Sequence, residues 1–296
     1  MDLEAEVDVR HRIMARLQEA VDASPSGTLS RRELSAFEVD GRTWRLLDQG
    51  RGIRNPKDLQ ATLTIMTSLH GPYGDEPMES GLFRYHYQSS SDAGDNTKLR
   101  RACELQLPLI LFWMLEPGLY VPVFPVYVVA DDRPNRVFLI ALDEGLRFLP
   151  DPMDPGEAAK RYAHRIARRR LHQPVFRASV LRAYEVRCAV CRLQHGNLLD
   201  AAHIIPDGAD HGAPIVSNGL SLCKIHHAAY DNQQLGISPD YRVHIAPDLL
   251  VEVDGPMLRH GLQEMHGQLI GLPSRPKERP DRDRLDERYQ QFLRAS

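Results

Sequence analysis

Two short ligand pairs constrain this chain more than any other feature. Cys188 and Cys191 stand two residues apart in "RCAVC" (187–191), Cys223 and His226 two apart in "LCKIH" (222–226), and 31 residues separate the pairs. Each pair has the spacing of a knuckle that sets two ligands on one face of a tetrahedral zinc. Three thiolates and an imidazole suit Zn²⁺ better than hard, oxygen-seeking ions. A structural zinc bound this way draws the two ends of 188–226 to one point.

The fourth cysteine, Cys103, lies among apolar neighbours and reads as a small buried hydrophobe. The opening "MDLEAEVDVRHRIMARLQEA" lacks an apolar secretory core. A cytoplasmic chain is therefore expected, with thiols that bind metal rather than pair. If His226 completes the zinc, the adjacent His227 is left for other work, because four ligands close a structural site. Asp231 follows His227 by four residues, so on a helix the two side chains point the same way and can share a cation. Between the knuckles an apolar strand carries His203 just ahead of Ile204, Ile205 and Pro206. A Gly/Asp-rich loop follows, then Asn218 in "SNGLSLC".

On these residues, 187–231 resembles the HNH, or ββα-metal, nucleases. That family places a histidine at a strand end, an asparagine in the connecting loop and a histidine on the helix, which fits His203, Asn218 and His227 in that order. The wider run "FRASVLRAYEVRCAVC…AAHIIP…NGLSLCKIHHAAYD" is similar to predicted HNH restriction endonucleases. The resemblance implies that His203 is the general base and that His227, with Asp231, holds a catalytic divalent cation: Mg²⁺, or Mn²⁺, Co²⁺ or Ni²⁺. It implies that Asn218 fixes the loop and orients His203. Many members carry a metal-binding His or Asp immediately before the base; here that position is Ala202, and Asp200 is a further candidate ligand.

The 296 residues suffice for two domains, and 42% hydrophobic with 26% charged residues is ordinary for a globular protein. No stretch approaches the roughly 20 apolar residues of a membrane span. The net charge of −3 excludes a uniformly basic nucleic-acid binder, but "KRYAHRIARRR" (160–170) makes a local excess of positive charge. Residues 1–29 read as an N-terminal amphipathic helix, with Ser30 and Glu33 as a capping box for the next one. Short apolar runs at 81–88, 107–115, 120–130 and 136–142 read as strands, and 55–69 and 95–105 as helices. The expected plan is α+β. A curved-sheet or barrel domain occupies 30–150, a basic helical linker 151–173, a zinc-stabilised ββα-metal domain 174–272, and an exposed charged tail 273–296.

The stretch 70–112 resembles the SRA (YDG) domains of the PUA-like superfamily, which recognise modified cytosine such as 5-methylcytosine. The shared features are Gly71, Tyr73 and Asp75, the aromatic strand at Phe83 and Tyr85, and a helix opening with Asn96 and Leu99. Such a reader flips a base from the duplex and stacks it between aromatic rings. Tyr73, Tyr85, His86 and Tyr87 are the candidate rings, and Asp75 the acceptor for a cytosine amino group. Arg84, Lys98, Arg100, Arg101, Arg165, Arg168 and Arg169 are candidate phosphate contacts. The expectation is a modification-dependent DNA endonuclease acting on double-stranded DNA. A double-strand cut by a chain with one such centre implies a homodimer. Two alternatives stay open: an HNH restriction enzyme reading an unmodified sequence, and a zinc-stabilised regulatory protein with a decayed nuclease site.

Overall fold

The computed structural model describes residues 1–48, 52–67, 76–77, 81–87 and 94–295. The chain divides into two units, Met1–Val175 and Phe176–Ser296.

The first unit opens with helix α1 (Leu3–Ala23), where the Asp2 carboxylate accepts a bond from Ala5 N at 2.8 Å as N-cap. Its inward face carries Ile13, Met14 and Leu17, together with an ion pair that periodicity alone does not reveal. Glu6 and Arg10 are wholly buried 2.7 Å apart. Arg10 also donates to the carbonyls of Pro108 and Ala61, and Glu6 accepts from Gln60 N. Every charge taken out of water is thereby partnered, as burial of an ion demands. Strand β1 (Leu29–Ser30) leads into α2 (Arg31–Ser35), whose capping box between Ser30 and Glu33 forms as the spacing predicts. The hairpin β2 (Phe37–Val39) and β3 (Arg42–Trp44) turns on Asp40-Gly41, both at positive φ, the backbone that Asp-Gly hairpins favour.

The remaining strands are β4 (Ile53–Arg54), β5 (Thr64–Met66), β6 (Glu76–Pro77), β7 (Phe83–His86), β8 (Leu109–Glu116), β9 (Leu119–Asp132) and β10 (Val137–Ala141). They form a curled half-barrel sheet in the order β4-β5-β8-β9-β10-β7-β6, with β1 alongside β9. Among the described strands, only β5 and β8 run parallel. The curl follows from β9, which pairs with β8 over its first half and with β10 over its second, with register shifts on both partners. Residues in β8 alternate between two cores: Leu109 and Leu111 pack with Leu99 and Ala102 of α3 (Asp95–Glu104), while Ile110 and Phe112 pack with α1. Cover on both faces explains why the run at 107–115 is continuously apolar.

Two expectations change here. The 55–69 helix does not form: 64–66 is strand β5, and Leu59, Ala61, Leu63 and Ile65 are buried. The β-branched Thr62, Thr64 and Ile65 favour extended backbone, and parallel pairing to β8 outweighs the helical spacing. The basic stretch 151–173 is helical as expected, but it packs as part of the first unit and is not a linker between domains. Helix α4 (Glu157–Ala167) and the π-turn Arg168–His172 lay Ala163, Ile166, Ala167 and Leu171 into the cores of the first unit.

In the second unit, α5 (the helix Gln173–Ala183, which crosses the division) precedes an antiparallel pair, β11 (Leu199–His203) and β12 (Gly219–Cys223). Helix α6 (Lys224–Asp231) follows β12 directly, giving a β-β-α order. A second hairpin, β13 (Leu235–Ile237) and β14 (Val243–Ile245), then α7 (Pro247–Val251) and α8 (Pro256–Gly261), complete the body. The charged stretch 273–296 is no exposed tail. Its helix α9 (Arg282–Ala295) buries Leu285 and Phe292, and Arg288 donates to Tyr230 O at the end of α6. Among the described residues, no helix is long and apolar enough to cross a membrane.

Candidate active site and metal centre

The four candidate metal ligands come from two places that β11 and β12 bring together. Cys188 and Cys191 lie on a tight turn in which Arg192 N bonds Cys188 O; Cys223 ends β12 and serves as N-cap of α6, so His226 falls in that helix's first turn. All four ligand atoms lie within 4.8 Å of one another, the one such group among the described residues. The Cys191 and Cys223 sulfurs are 3.9 Å apart, close to the roughly 3.8 Å edge of a tetrahedron with 2.3 Å Zn–S bonds. The His226 ring presents Nδ1 to Cys223 Sγ at 3.0 Å and to Cys188 Sγ at 3.5 Å. Its Nε2 donates to Gly261 O at 2.7 Å, which fixes the tautomer and leaves the Nδ1 lone pair facing the sulfurs.

Proton chemistry points the same way. Contacts with Cys188 and Cys191 push the Cys223 thiol below its ordinary range, while contacts with Cys188 and Cys223 push the Cys191 thiol above it. Burial opposes charging His226, yet the neighbouring sulfurs raise it to about 10. Sulfurs this close cannot all become thiolates unless a cation sits among them. The donor set therefore fits a metal ion such as zinc.

His227 faces a different group. Its Nδ1 lies 3.2 Å from Asp200 Oδ2 on β11, and its Nε2 lies 3.3 Å from Asp231 Oδ2 one turn later on α6. Asp200 is also bonded to Lys224 at 2.5 Å. Burial raises the Asp200 pKa, but Lys224 and His227 outweigh it, so the carboxyl stays below its ordinary range and ionised. Asp200 and Ala202 share one face of β11 by the period of two. The acid missing at Ala202 thus has a counterpart one pleat back, in contact with His227.

His203 closes β11, opposite Gly219. Its ring stacks on Phe176 of α5, with centroids 4.0 Å apart and planes 15° apart. Gly219 makes this possible: a Cβ there would come within 2.4 Å of Val180 and 2.9 Å of Phe176. Asn218 is fully buried and staples the residues after His203. Its side chain accepts from Ile205 N and donates to Ile205 O, both at 2.9 Å, and its own carbonyl accepts from Ile204 N. The spacing of motifs does not reveal Phe176 or Lys224. Phe176 is four residues before Val180 on the face of α5 that meets Gly219, a relation visible only once the strand pair exists.

Candidate DNA-reading residues of the first unit are scattered. Tyr73 and Asp75 lie outside the described residues. Tyr85 is fully buried and donates to Gly52 O and Met66 O, and Tyr87 is stacked on Phe138 with its hydroxyl bonded to Asp131. Both rings are core, because inward positions of β7 meet α3, which removes them from the surfaces open to a base. Arg100 is held by Asp131 at 2.6 Å. Arg84 lies half-buried on the other face of β7. Lys98 and Arg101 are exposed on α3, and Arg165, Arg168 and Arg169 are exposed beyond them.

Residues 188–238, which span both groups, match the HNH endonuclease family model. The chain has no match among curated proteins. Among solved structures it is similar to the modification-dependent TagI restriction endonuclease, at 18% identity over 88% of this chain and 90% of that one. The TM-score of 0.31 is too low for that likeness to carry fold or function across.

Proposed function

We propose that this chain is a metal-dependent endonuclease that hydrolyses phosphodiester bonds in double-stranded DNA carrying modified cytosine. The observation that carries the nuclease reading is His227 flanked by Asp200 and Asp231 beside the strand that ends in His203, within the region matching the HNH model. An imidazole and two carboxylates suit Mg²⁺, Mn²⁺, Co²⁺ or Ni²⁺. The two ring nitrogens of His227 face opposite ways, so one can ligate while the acid on the other side orients the ring. Asp200, the less exposed acid and a β11 residue like His203, is the better ligand; Asp231 is the better orienter. A divalent cation held there supplies charge stabilisation to the crowded phosphate and the departing 3′-oxygen. His203 takes the proton of the attacking water, a task that suits neutral imidazole near pH 7. Phe176 and the Asn218 staple hold that ring in place.

Modified cytosine as the target rests on the sequence motif at Gly71, Tyr73 and Asp75. The experiment is a cleavage panel of plain, 5-methylcytosine and 5-hydroxymethylcytosine duplexes with each of the four cations, using wild type and His203→Ala. Wild type is expected to cut the modified duplexes and His203→Ala to leave them intact. Equal background cutting by both proteins would remove the nuclease reading. Equal cutting of plain and modified DNA by wild type would remove only the modified-base reading.

A further inference from the structure

We infer that α4 and the π-turn after it form a rigid phosphate-binding ridge of the first unit, which holds duplex DNA without reading its sequence. The inference rests on the proposal that DNA is the substrate. At about 100° per residue, Arg161, Arg165, Arg168 and Arg169 fall within an arc of about 100°. The buried Ala163, Ile166, Ala167 and Leu171 are centred about 180° round from it. All four arginines are exposed. Two acids at the start of the helix, Asp154 and Glu157, are paired with Lys160 at 3.2 Å and 3.6 Å. The ridge is therefore a stripe of four exposed arginines on one helix face of a chain of net charge −3.

Arg170 shows that the stripe is sorted, not merely basic. It turns inward, donates to the carbonyls of Leu142 and Phe124, and pairs with Asp143 at 3.3 Å. Tyr162 bonds the same Asp143, and Gly81 sits so close to Ala163 and His164 that no side chain would fit between. The helix is thus pinned to the sheet at several points, and its outer arginines are carried on a fixed rail. The π-turn, marked by Gln173 N bonding Arg168 O, adds a residue where the outward pair Arg168–Arg169 gives way to the inward Arg170.

Nucleic acid fits this surface better than an acidic protein does. The stripe runs about 12 Å along the helix axis, a length over which a duplex presents about seven phosphate charges. Arginine forks match phosphate oxygens in pairs, and the stripe offers no apolar centre for a protein partner.

The test is binding of a duplex by the full chain in a His203→Ala background, read by fluorescence anisotropy between about 50 and 200 mM salt. Arg161→Gln, Arg165→Gln and Arg169→Gln are each expected to reduce the log–log salt slope by about 0.9 and to cost about eightfold in affinity at 0.1 M salt. The triple variant should lose about 2.7 of slope, equally for plain and modified duplexes, with an unchanged melting temperature. Arg16→Gln, at an exposed arginine on α1, should leave the slope alone. The inference is overturned if the triple variant keeps the wild-type slope, if the parent shows no salt slope, or if the loss is confined to modified DNA. It is overturned as well if the triple variant loses binding to phosphatidylserine vesicles while its DNA binding is intact. Wild-type cleavage is scored separately. A protein that never cuts but whose slope falls in the triple variant keeps the ridge and loses the nuclease reading; one that cuts with an unaltered slope does the reverse.

Discussion

At the scale of single residues, the neighbours His226 and His227 face different groups because consecutive helical side chains point about 100° apart. His226 turns to the sulfurs of Cys188 and Cys223 and is locked by Gly261 O; His227 turns to Asp200 and Asp231. His226→Ala should release the metal and collapse the thermal transition of the second unit, because the ligand set that closes Cys188, Cys191 and Cys223 is broken. His227→Ala should keep its metal and its melting temperature while losing cleavage by at least about 100-fold, the scale on which catalytic metal-site residues act. Zinc content by mass spectrometry of the native protein, with melting curves, separates the two. Equal destabilisation by both substitutions would overturn the division. This split is legible in the sequence, since spacing alone assigns His226 to the knuckle. The Asp200–His227 contact is not, because a strand residue and a helix residue 27 positions apart meet only after β11 and α6 pack.

At the scale of elements, the β11–β12 pair is the platform on which both groups stand, and α5 is the wall behind it. Gly219 is the point of contact: its missing side chain lets Phe176 and Val180 approach the strand end that carries His203. Gly219→Ala should cost about 1–3 kcal/mol in stability as an overpacked contact. It should lower kcat by shifting Phe176 under His203 while leaving bound zinc unchanged. Denaturant unfolding and metal content together check this, and a variant of wild-type activity would show that the stacking does not position the base. Elements that repeat a local rule were readable beforehand, as the Ser30–Glu33 capping box shows. The 55–69 segment was not, because its helical spacing and its β-branched content disagree and the partner strand β8 decides between them.

At the scale of the whole molecule, two units with separate cores should respond separately to metal removal. Prolonged chelation is expected to abolish the calorimetric transition of the second unit and leave that of the first near its original temperature, since no metal-ligand cluster was found among the first unit's described residues. A single transition lost as a whole would contradict this. The sequence alone determined the local pattern: which four Cys and His residues gather into a group that could hold a metal ion, and which histidines and asparagine follow one another in HNH order. Those assignments depend on spacing along a few turns of chain, and spacing is written in the sequence. Only the tertiary structure decided what each candidate is free to do. Tyr85, Tyr87 and Arg100 look like surface contacts by residue type, yet sheet curvature and the cover of α3 bury the rings and tie the arginine to Asp131. Arg161, Arg165, Arg168 and Arg169 look like part of a helical linker, yet packing of α4 turns them into one face of a helix fixed to the first unit. Burial is set by long-range contacts, and no local pattern specifies which side of a helix or strand will meet the core of a curled sheet.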